Sequence, residues 1–178
     1  MAGIDEGLTF YPLRIAVLTV SDSRDGDTDK SGALLAERLT SAGHELADKA
    51  IVRDDVEAIR ARVRSWSEEG GVDVIISTGG TGFAPRDVTP EAVKPLFRRE
   101  MDGFAILFHQ ASLGTVGLST LQSRACAGQI GDTFIFCLPG STGACRDAWD
   151  LVLGHELDSR YRPCSLASQV PRLRELCA

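Results

Sequence analysis

The chain alternates between apolar runs of strand length and segments with the spacing of an amphipathic helix. Three such pairs follow one another, with strands predicted over 14–21, 44–52 and 72–78 and helices over 31–43, over 54–69 and from residue 89 towards 100. Parallel strands need long crossover connections, so this alternation predicts a mostly parallel sheet with helices packed on it. The run 72–78 is apolar almost throughout, which indicates a strand buried on both faces.

Two later strands are predicted over 124–130 and 132–138. The pair Gly131-Asp132 between them is typical of a tight hairpin turn. One more helix is predicted over 102–111, before this hairpin, and another after it, from Ser141 through Leu153. The hairpin therefore adds an antiparallel element to the sheet.

The length and composition suit one domain. The chain has 178 residues, of which 43% are hydrophobic and 25% charged, so it can bury a sizeable core. We expect a single three-layer α/β/α domain over residues 1–178, with a mostly parallel sheet and a small antiparallel hairpin at its edge. Its core is expected over about 13–157, and the residues from 158 to 178 form a C-terminal tail.

The charge and the cysteines restrict the partners and the compartment. A formal net charge of -6 disfavours nucleic acid as a partner, because binding polyanions requires a Lys/Arg surface. The five cysteines are odd in number and contain no C-x-x-C, so we expect reduced thiols, mostly in the core. The N-terminus lacks a basic start followed by an apolar run, and no uninterrupted apolar stretch approaches the ~18 residues of a membrane span. These features favour a cytoplasmic protein that does not enter a membrane.

The histidines and tryptophans have ordinary structural interpretations. His44, His109 and His155 lack the spacing of metal ligands, and we expect strand, helix-face and surface positions for them. Trp66 and Trp149 lie on apolar helical faces, which indicates core positions.

Four distinctive loops follow the predicted parallel strands. In open α/β sheets such loops share one edge, where ligands bind. The loops are Ser21-Asp22-Ser23-Arg24, Arg53-Asp54-Asp55, Gly79-Gly80-Thr81-Gly82 and Pro139-Gly140-Ser141-Thr142. We expect them to surround one ligand site.

The glycine turn 79–82 is the most informative of these loops. Three glycines in four residues leave no Cβ to keep a ligand from the backbone, so successive amides can bind an anion such as phosphate. Neither a Gly-Lys-Ser/Thr nor a G-x-G-x-x-G spacing is present, and by itself such a turn is more often structural than a ligand loop.

Acidic residues near this turn favour a ligand loop over a purely structural turn. Asp54 and Asp87 beside an anion require a cation between them, and Mg²⁺ typically takes one or two carboxylates plus phosphate oxygens. Structural alternatives exist: Asp87 can be a plain loop residue, either Asp54 or Asp55 can cap the following helix, and Thr89-Pro90-Glu91 can serve to begin one.

A set of motifs spread over nearly the whole chain resembles one family. They are T19-V-S-D-S-R24, D27-T-D-K-S-G32, A50-I-V-R-D-D55, S77-T-G-G-T-G82, R86-D-V-T-P-E91 and L138-P-G-S-T142. Together they resemble the molybdenum cofactor biosynthesis family that contains the MoaB and Mog proteins and the G domain of gephyrin-type proteins. The segments S119-T-L-Q-S-R124 and D158-S-R-Y-R-P-C164 are similar to the MoaB branch in particular.

The resemblance implies an enzyme, a molybdopterin adenylyltransferase that uses ATP, Mg²⁺ and molybdopterin. It implies catalytic and metal-binding roles for Asp54 and Asp87. The phosphate- and ATP-binding residues that it implies are Gly79, Gly80, Thr81, Gly82, Pro139, Gly140 and Ser141. For molybdopterin it implies Ser21, Asp22, Arg86, Thr89 and Glu91.

Two alternatives remain beside this enzyme: a molybdopterin-binding or carrier protein without turnover, and a generic nucleotide-binding regulator. Mog-branch members usually carry Pro-Gly-Asn/Gln-Pro where this chain has Pro139-Gly140-Ser141-Thr142. The family resemblance also implies a homotrimer or a hexamer built as a dimer of trimers. The apolar segments F104-A-I-L-F108 and S112-L-G-T-V-G-L118 favour such an assembly, because they supply more apolar surface than one sheet face needs.

Overall fold

A six-stranded sheet forms the centre of the computed structural model, which describes residues 2–174 and 176. In chain order the strands are β1 (Gly3–Ile4), β2 (Arg14–Val20), β3 (Glu45–Val52), β4 (Val74–Thr78), β5 (Arg99–Glu100), β6 (Cys126–Ile130), β7 (Thr133–Leu138) and β8 (Tyr161–Arg162). The large sheet has the order β3-β2-β4-β7-β6-β5. Its first four strands are parallel, whereas β6 is antiparallel to both β7 and β5. The mostly parallel α/β fold is confirmed.

Helices cover both faces of this sheet. They are α1 (Lys30–Ser41), α2 (Val56–Glu68), α3 (Thr89–Val93), α4 (Asp102–Val116), α5 (Thr142–Ala148) and α6 (Gly154–Glu156). Alternate residues of β2 enter two separate apolar clusters, as the period of a strand requires. Ile15 and Val17 pack with α1, α4 and α5, whereas Ala16 and Leu18 pack with α2 and α3. The three layers predicted from the sequence follow from this arrangement.

The predicted helix from Thr89 towards Glu100 is wrong in its length. Helix α3 ends at Val93, a 3₁₀ turn follows over Lys94–Leu96, and Arg99–Glu100 pairs with β6. The physical reason is Pro95, which has no amide hydrogen to continue the helical bonding. Helix α4 is instead longer than predicted and continues as a 3₁₀ segment over Gly117–Gln122.

The helix starts were also predicted incompletely. Asp55, not Asp54, caps α2 by accepting a hydrogen bond from the amide of Ala58 at 2.8 Å. Thr89 does not cap α3 with its side chain, because its hydroxyl donates to the carbonyl oxygen of Gly79 at 2.8 Å. Both corrections concern side chains at the carboxyl edge of the sheet.

The C-terminal residues pack on the body of the protein. Ala167, Val170 and Leu173 belong to the apolar cluster under α1, α4 and α5. At the amino edge of the sheet, the buried carboxylate of Asp73 accepts hydrogen bonds from Arg14 and Arg172, which ties this segment to β2 and β4. These contacts lie opposite the edge where the predicted ligand loops gather.

The continuous helical stretch Asp102–Gln122 is long and apolar enough to cross a membrane, judged by length and composition alone. Its most apolar 18-residue window has a mean hydropathy of 1.3, and only 17% of that window is buried. The stretch begins with Asp102, and the polar pair His109-Gln110 interrupts its apolar sequence. Large apolar side chains of this stretch are exposed, among them Ile106, Leu118 and Leu121.

Candidate functional site

A cavity of about 570 Å³ opens at the carboxyl ends of the parallel strands. This volume lies within the usual range of small-molecule sites. Of the residues predicted for the site, those that line the cavity are Ser21, Asp54, Gly79, Gly80, Thr81, Gly82, Asp87, Pro139, Gly140 and Ser141. The four loops therefore converge as predicted, although the role of each residue stays a prediction.

The glycine turn needs glycine at its first two positions. Gly79 and Gly80 have φ angles of +106° and +68°, which L side chains rarely adopt. A Cβ on Gly79 would lie 2.2 Å from the carbonyl oxygen of Val20, and one on Gly80 would lie 2.4 Å from the hydroxyl oxygen of Thr89. The turn is therefore folded tightly against the end of β2 and the start of α3.

Arg124 holds the outer side of this turn. Its Nε donates to the carbonyl oxygen of Gly82 at 2.8 Å, its Nη2 donates to that of Asp87 at 2.7 Å, and its guanidinium pairs with Glu91. The backbone amide of Arg124 also donates to the carbonyl oxygen of Thr81. In the sequence, Arg124 was singled out only as the last residue of the segment 119–124 that is similar to the MoaB branch. Its contacts join residues distant in the chain, and such contacts leave no local sequence pattern.

Three carboxylates gather beside the turn. The amide of Asp22 donates to Oδ2 of Asp54 at 2.9 Å, and the amide of Ala84 donates to Oδ2 of Asp87 at 2.8 Å. Burial raises the pKa of Asp54, and the negative charges of Asp22 and Asp87 raise it further. A carboxylate whose pKa is raised in this way gains most from a nearby cation.

The donor set fits a hard divalent cation such as Mg²⁺. Within residues 2–174 and 176, Oδ1 of Asp54 and Oδ1 of Asp87 accept no hydrogen bond, so each carboxylate keeps one oxygen for an ion. No group of three or more His, Cys, Asp or Glu side chains arranged for a metal occurs in the same described part of the chain. Two carboxylates leave the other coordination positions to ligand oxygens and water, which is the usual environment of Mg²⁺.

Arg24 is a cavity residue that the sequence analysis did not assign. Its guanidinium donates to the carbonyl oxygen of Gly140 at 2.7 Å and to the hydroxyl of Ser31. Among the described residues it is the one basic side chain that lines the cavity. Its position in the loop after β2 could have indicated a place at the site, because that loop was expected there.

The far wall of the cavity is formed by α4, the 3₁₀ segment after it and α5. Phe108, Val116 and Ala144 give it an apolar surface, and Thr120 and Asp147 add polar groups. The carboxylate of Asp147 is almost fully buried and accepts a hydrogen bond from the hydroxyl of Thr115. The sequence analysis assigned none of these residues to the site.

Four predicted site residues lie just outside the cavity lining. Thr89 is fully buried and braces the glycine turn, and Glu91 faces a neighbouring surface with Arg124. Asp22 and Arg86 form an ion pair at the rim, behind Asp54. The structure thus brings all four to the site as neighbours of its walls.

The fold and the cavity define an α/β protein with a ligand site at the carboxyl ends of parallel strands. The family model described as the probable molybdopterin binding domain matches residues 16–159. The chain belongs to the molybdenum cofactor biosynthesis family that contains the MoaB and Mog proteins.

Individual relatives agree with this membership. The chain is 49% identical over 156 residues to molybdenum cofactor biosynthesis protein B of Escherichia coli K12, covering 88% of this chain and 92% of that protein. A solved structure of a molybdenum cofactor biosynthesis protein B superposes with a TM-score of 0.83 at 38% identity, covering 93% of this chain and 98% of that one. The tungsten cofactor synthesizing protein MoaB from Pyrococcus furiosus gives a TM-score of 0.71 at 34% identity, over 81% of this chain and 92% of that one.

Proposed function

We propose that this chain is a molybdopterin adenylyltransferase of molybdenum cofactor biosynthesis. The terminal phosphate of molybdopterin attacks the α-phosphate of ATP, which forms adenylyl-molybdopterin and releases pyrophosphate. The observation that carries this proposal is the meeting of the glycine turn with Asp54 and Asp87, each with a free carboxylate oxygen, in one cavity. A polyphosphate with its cation requires backbone amides that bind the phosphates and paired carboxylates that hold the cation.

The chain needs to supply positioning and charge neutralisation, because phosphoryl-type transfer requires no protein nucleophile. In the proposal the phosphates of ATP lie against Gly79, Gly80, Thr81 and Gly82 and against Pro139, Gly140 and Ser141. Arg24, held by Gly140 and Ser31, offers positive charge on the same wall.

Asp54 and Asp87 would hold Mg²⁺ through their free oxygens, and the bound ion would neutralise negative charge on the phosphates. Asp54 is fixed for this task by the amide of Asp22, and Asp87 by the amide of Ala84. The raised pKa of Asp54 supports the assignment, since burial and the charges of Asp22 and Asp87 disfavour its ionised form and a bound cation would favour it.

Molybdopterin has its proposed place against Ser21 and the wall formed by α4 and α5. Val116 and Ala144 offer an apolar surface to a flat ring, and Asp147 and Thr120 offer acceptors to its N–H groups. Asp22, Arg86, Thr89 and Glu91 act from behind the lining, by fixing Asp54 and the glycine turn.

The test is to incubate the purified protein with molybdopterin and ATP and to measure pyrophosphate. We expect release that requires both substrates and stops when a chelator removes Mg²⁺. Molybdopterin binding without pyrophosphate would replace the proposal by the non-catalytic carrier. Binding of neither substrate would contradict both functions.

ATP and Mg²⁺ are available in the cytoplasm, and we propose that compartment for the reaction. We also propose a homotrimer or a hexamer, supported by the exposed apolar side chains of the stretch Asp102–Gln122.

A further inference from the structure

Asp147 is a buried carboxylate of the cavity whose charge has no basic partner. It is 9% exposed and lines the cavity from α5. Within residues 2–174 and 176, the one hydrogen bond to its carboxylate comes from the hydroxyl of Thr115, and it takes part in no salt bridge. Removing a carboxylate from water without a charged partner is costly, so a ligand that brings N–H donors stabilises this arrangement.

The two oxygens of this carboxylate have different surroundings. Oδ2 accepts the hydrogen bond from Thr115, which lies on α4, so Asp147 links the two helices of the far wall. Among the described residues, the fully enclosed side-chain oxygens without a partner include Oγ of Ser112 but not Oδ1 of Asp147. Oδ1 therefore stays open on the cavity side, and Oδ2 keeps a second lone pair.

Asp147 stands apart from the carboxylates assigned to the cation. No group of three His, Cys, Asp or Glu side chains suited to a metal occurs in residues 2–174 and 176, so Asp147 does not join Asp54 and Asp87. Its neighbours in the lining are apolar: Ala144 lies one helical turn earlier, and Val116 directly follows Thr115. A carboxylate in this setting suits the N–H edge of a flat heterocycle, whereas it would repel a phosphate.

Building on the function proposed above, we propose that Asp147 selects the 2-amino-4-oxopyrimidine edge of the pterin and turns that edge towards the α4–α5 wall. This edge carries two adjacent donors, the ring N3–H and the 2-amino group, and one carboxylate accepts both through its two oxygens. Adenine presents a donor next to an acceptor, its 6-amino group and N1, so N1 would face a carboxylate oxygen. Asp147 therefore assigns this wall to the pterin and excludes the adenine of ATP from it.

The experiment compares two small pteridines in fluorescence titrations of the full chain, without ATP or Mg²⁺. Pterin carries the 2-amino group, whereas lumazine has an oxo group in its place and nearly the same shape. We expect the unsubstituted protein to bind pterin about 10–100-fold more tightly, because the 2-oxo group would face a carboxylate oxygen. Equal affinities, or binding of neither pteridine, would overturn the proposal. Guanosine has the same donor edge, and a higher affinity for guanosine than for pterin would overturn the assignment to a pterin.

Asp147→Asn tests the residue itself. The amide keeps an oxygen for Thr115 and replaces the other acceptor by a donor, which suits the 2-oxo group of lumazine. We expect this variant to lose or invert the preference for pterin. Asp150→Asn is the matched control, because Asp150 pairs with Arg38 on the surface and should leave the preference unchanged.

Melting temperatures verify that both variants fold. Asp147→Ser replaces the first variant if it shows a folding defect, and it should likewise bring the two affinities together. A folded variant at position 147 that keeps the full preference for pterin would contradict the assigned role.

The selectivity of Asp147 and the adenylyl transfer can fail separately. A pterin preference that depends on Asp147, found without pyrophosphate release, supports the role of Asp147 and refutes turnover. Pyrophosphate release by Asp147→Asn with an unchanged KM for molybdopterin would support turnover and overturn the role of Asp147.

Discussion

Asp54 and Asp55 are neighbours in the sequence and have different structural tasks. Asp55 accepts the amide of Ala58 and begins α2, which leaves Asp54 free to face the cavity. The sequence allowed either residue to cap the helix, because both precede it closely. The structure separates them, and this separation makes a matched pair of variants possible.

We expect Asp54→Asn and Asp87→Asn to lower pyrophosphate release by about 10²–10³-fold without lowering the melting temperature. Each removes charge that would face the metal and the reacting phosphate, and losses of such electrostatic elements are of that order. The double variant should raise the activation free energy by less than the two single variants do together, since both carboxylates serve one ion. Asp55→Ala is the control: it should lower the free energy of unfolding by about 1 kcal/mol and leave the rate unchanged. Near-normal turnover in folded Asp87→Asn would refute the assigned role.

His44 makes stability depend on pH. It is 5% exposed, its Nδ1 accepts the amide of Leu13, and burial lowers its pKa to about 4, with Asp158 opposing the shift. In the unfolded chain the imidazole of His44 takes up a proton near its ordinary pKa of 6.5, whereas in the folded chain it stays neutral down to about pH 4. The stabilisation is therefore complete above about pH 6.5 and is lost as pH falls towards 4. We expect the free energy of unfolding to fall by about 3 kcal/mol over this pH range, measured by denaturant unfolding. His44→Asn keeps an acceptor for Leu13 and should remove most of the pH dependence. If the free energy of unfolding of that variant depends on pH as strongly as before, groups other than His44 cause the dependence.

At the scale of elements, the glycine turn depends on its backbone. Gly79→Ala should destabilise the protein by about 2 kcal/mol or more, because its Cβ would meet the carbonyl oxygen of Val20 and its φ angle is positive. Gly103→Ala is the matched control, since a Cβ there meets nothing within 4 Å and lies in α4. The control should be neutral or stabilise by about 0.5–1 kcal/mol. Equal unfolding midpoints for the two variants would contradict the tight packing of the turn.

The sequence predicted the elements whose signals are local. The β-branched strands, the Gly131-Asp132 hairpin and the convergence of four loops at one edge all follow from periodicity and from the rules of parallel sheets. The sequence did not predict that Thr89 braces the turn or that Arg124 holds it from the outside. The Arg124 contact joins residues that are 42 positions apart in the chain, and in the sequence Thr89 looked like an ordinary helix cap.

At the scale of the whole molecule, the predicted three-layer fold is confirmed, whereas the single-domain division over residues 1–178 stays a prediction. The C-terminal segment was expected as a tail, and Ala167, Val170 and Leu173 nevertheless lie in an apolar cluster. Its two prolines and short 3₁₀ turns give no long periodic signal. Cys126, Cys137 and Cys145 are buried free thiols and Cys164 is exposed, while Cys177 lies outside the described residues.

An exposed apolar patch on α4 and the 3₁₀ segment after it predicts that the chain assembles with copies of itself. Leu118 and Leu121 are 84% and 81% exposed, next to further exposed apolar side chains of α4, and an apolar patch of this kind marks an interface. We expect light scattering to show a trimer or a hexamer at micromolar concentration. Leu118→Glu with Leu121→Glu should shift the protein to smaller species without unfolding it, because both side chains are already in water in the isolated chain. Ala61→Glu adds charge on the exposed side of α2, in the opposite layer, and should leave the assembly intact. A monomer in the unsubstituted protein would contradict the prediction, and an oligomer that survives both leucine changes would move the interface to another surface.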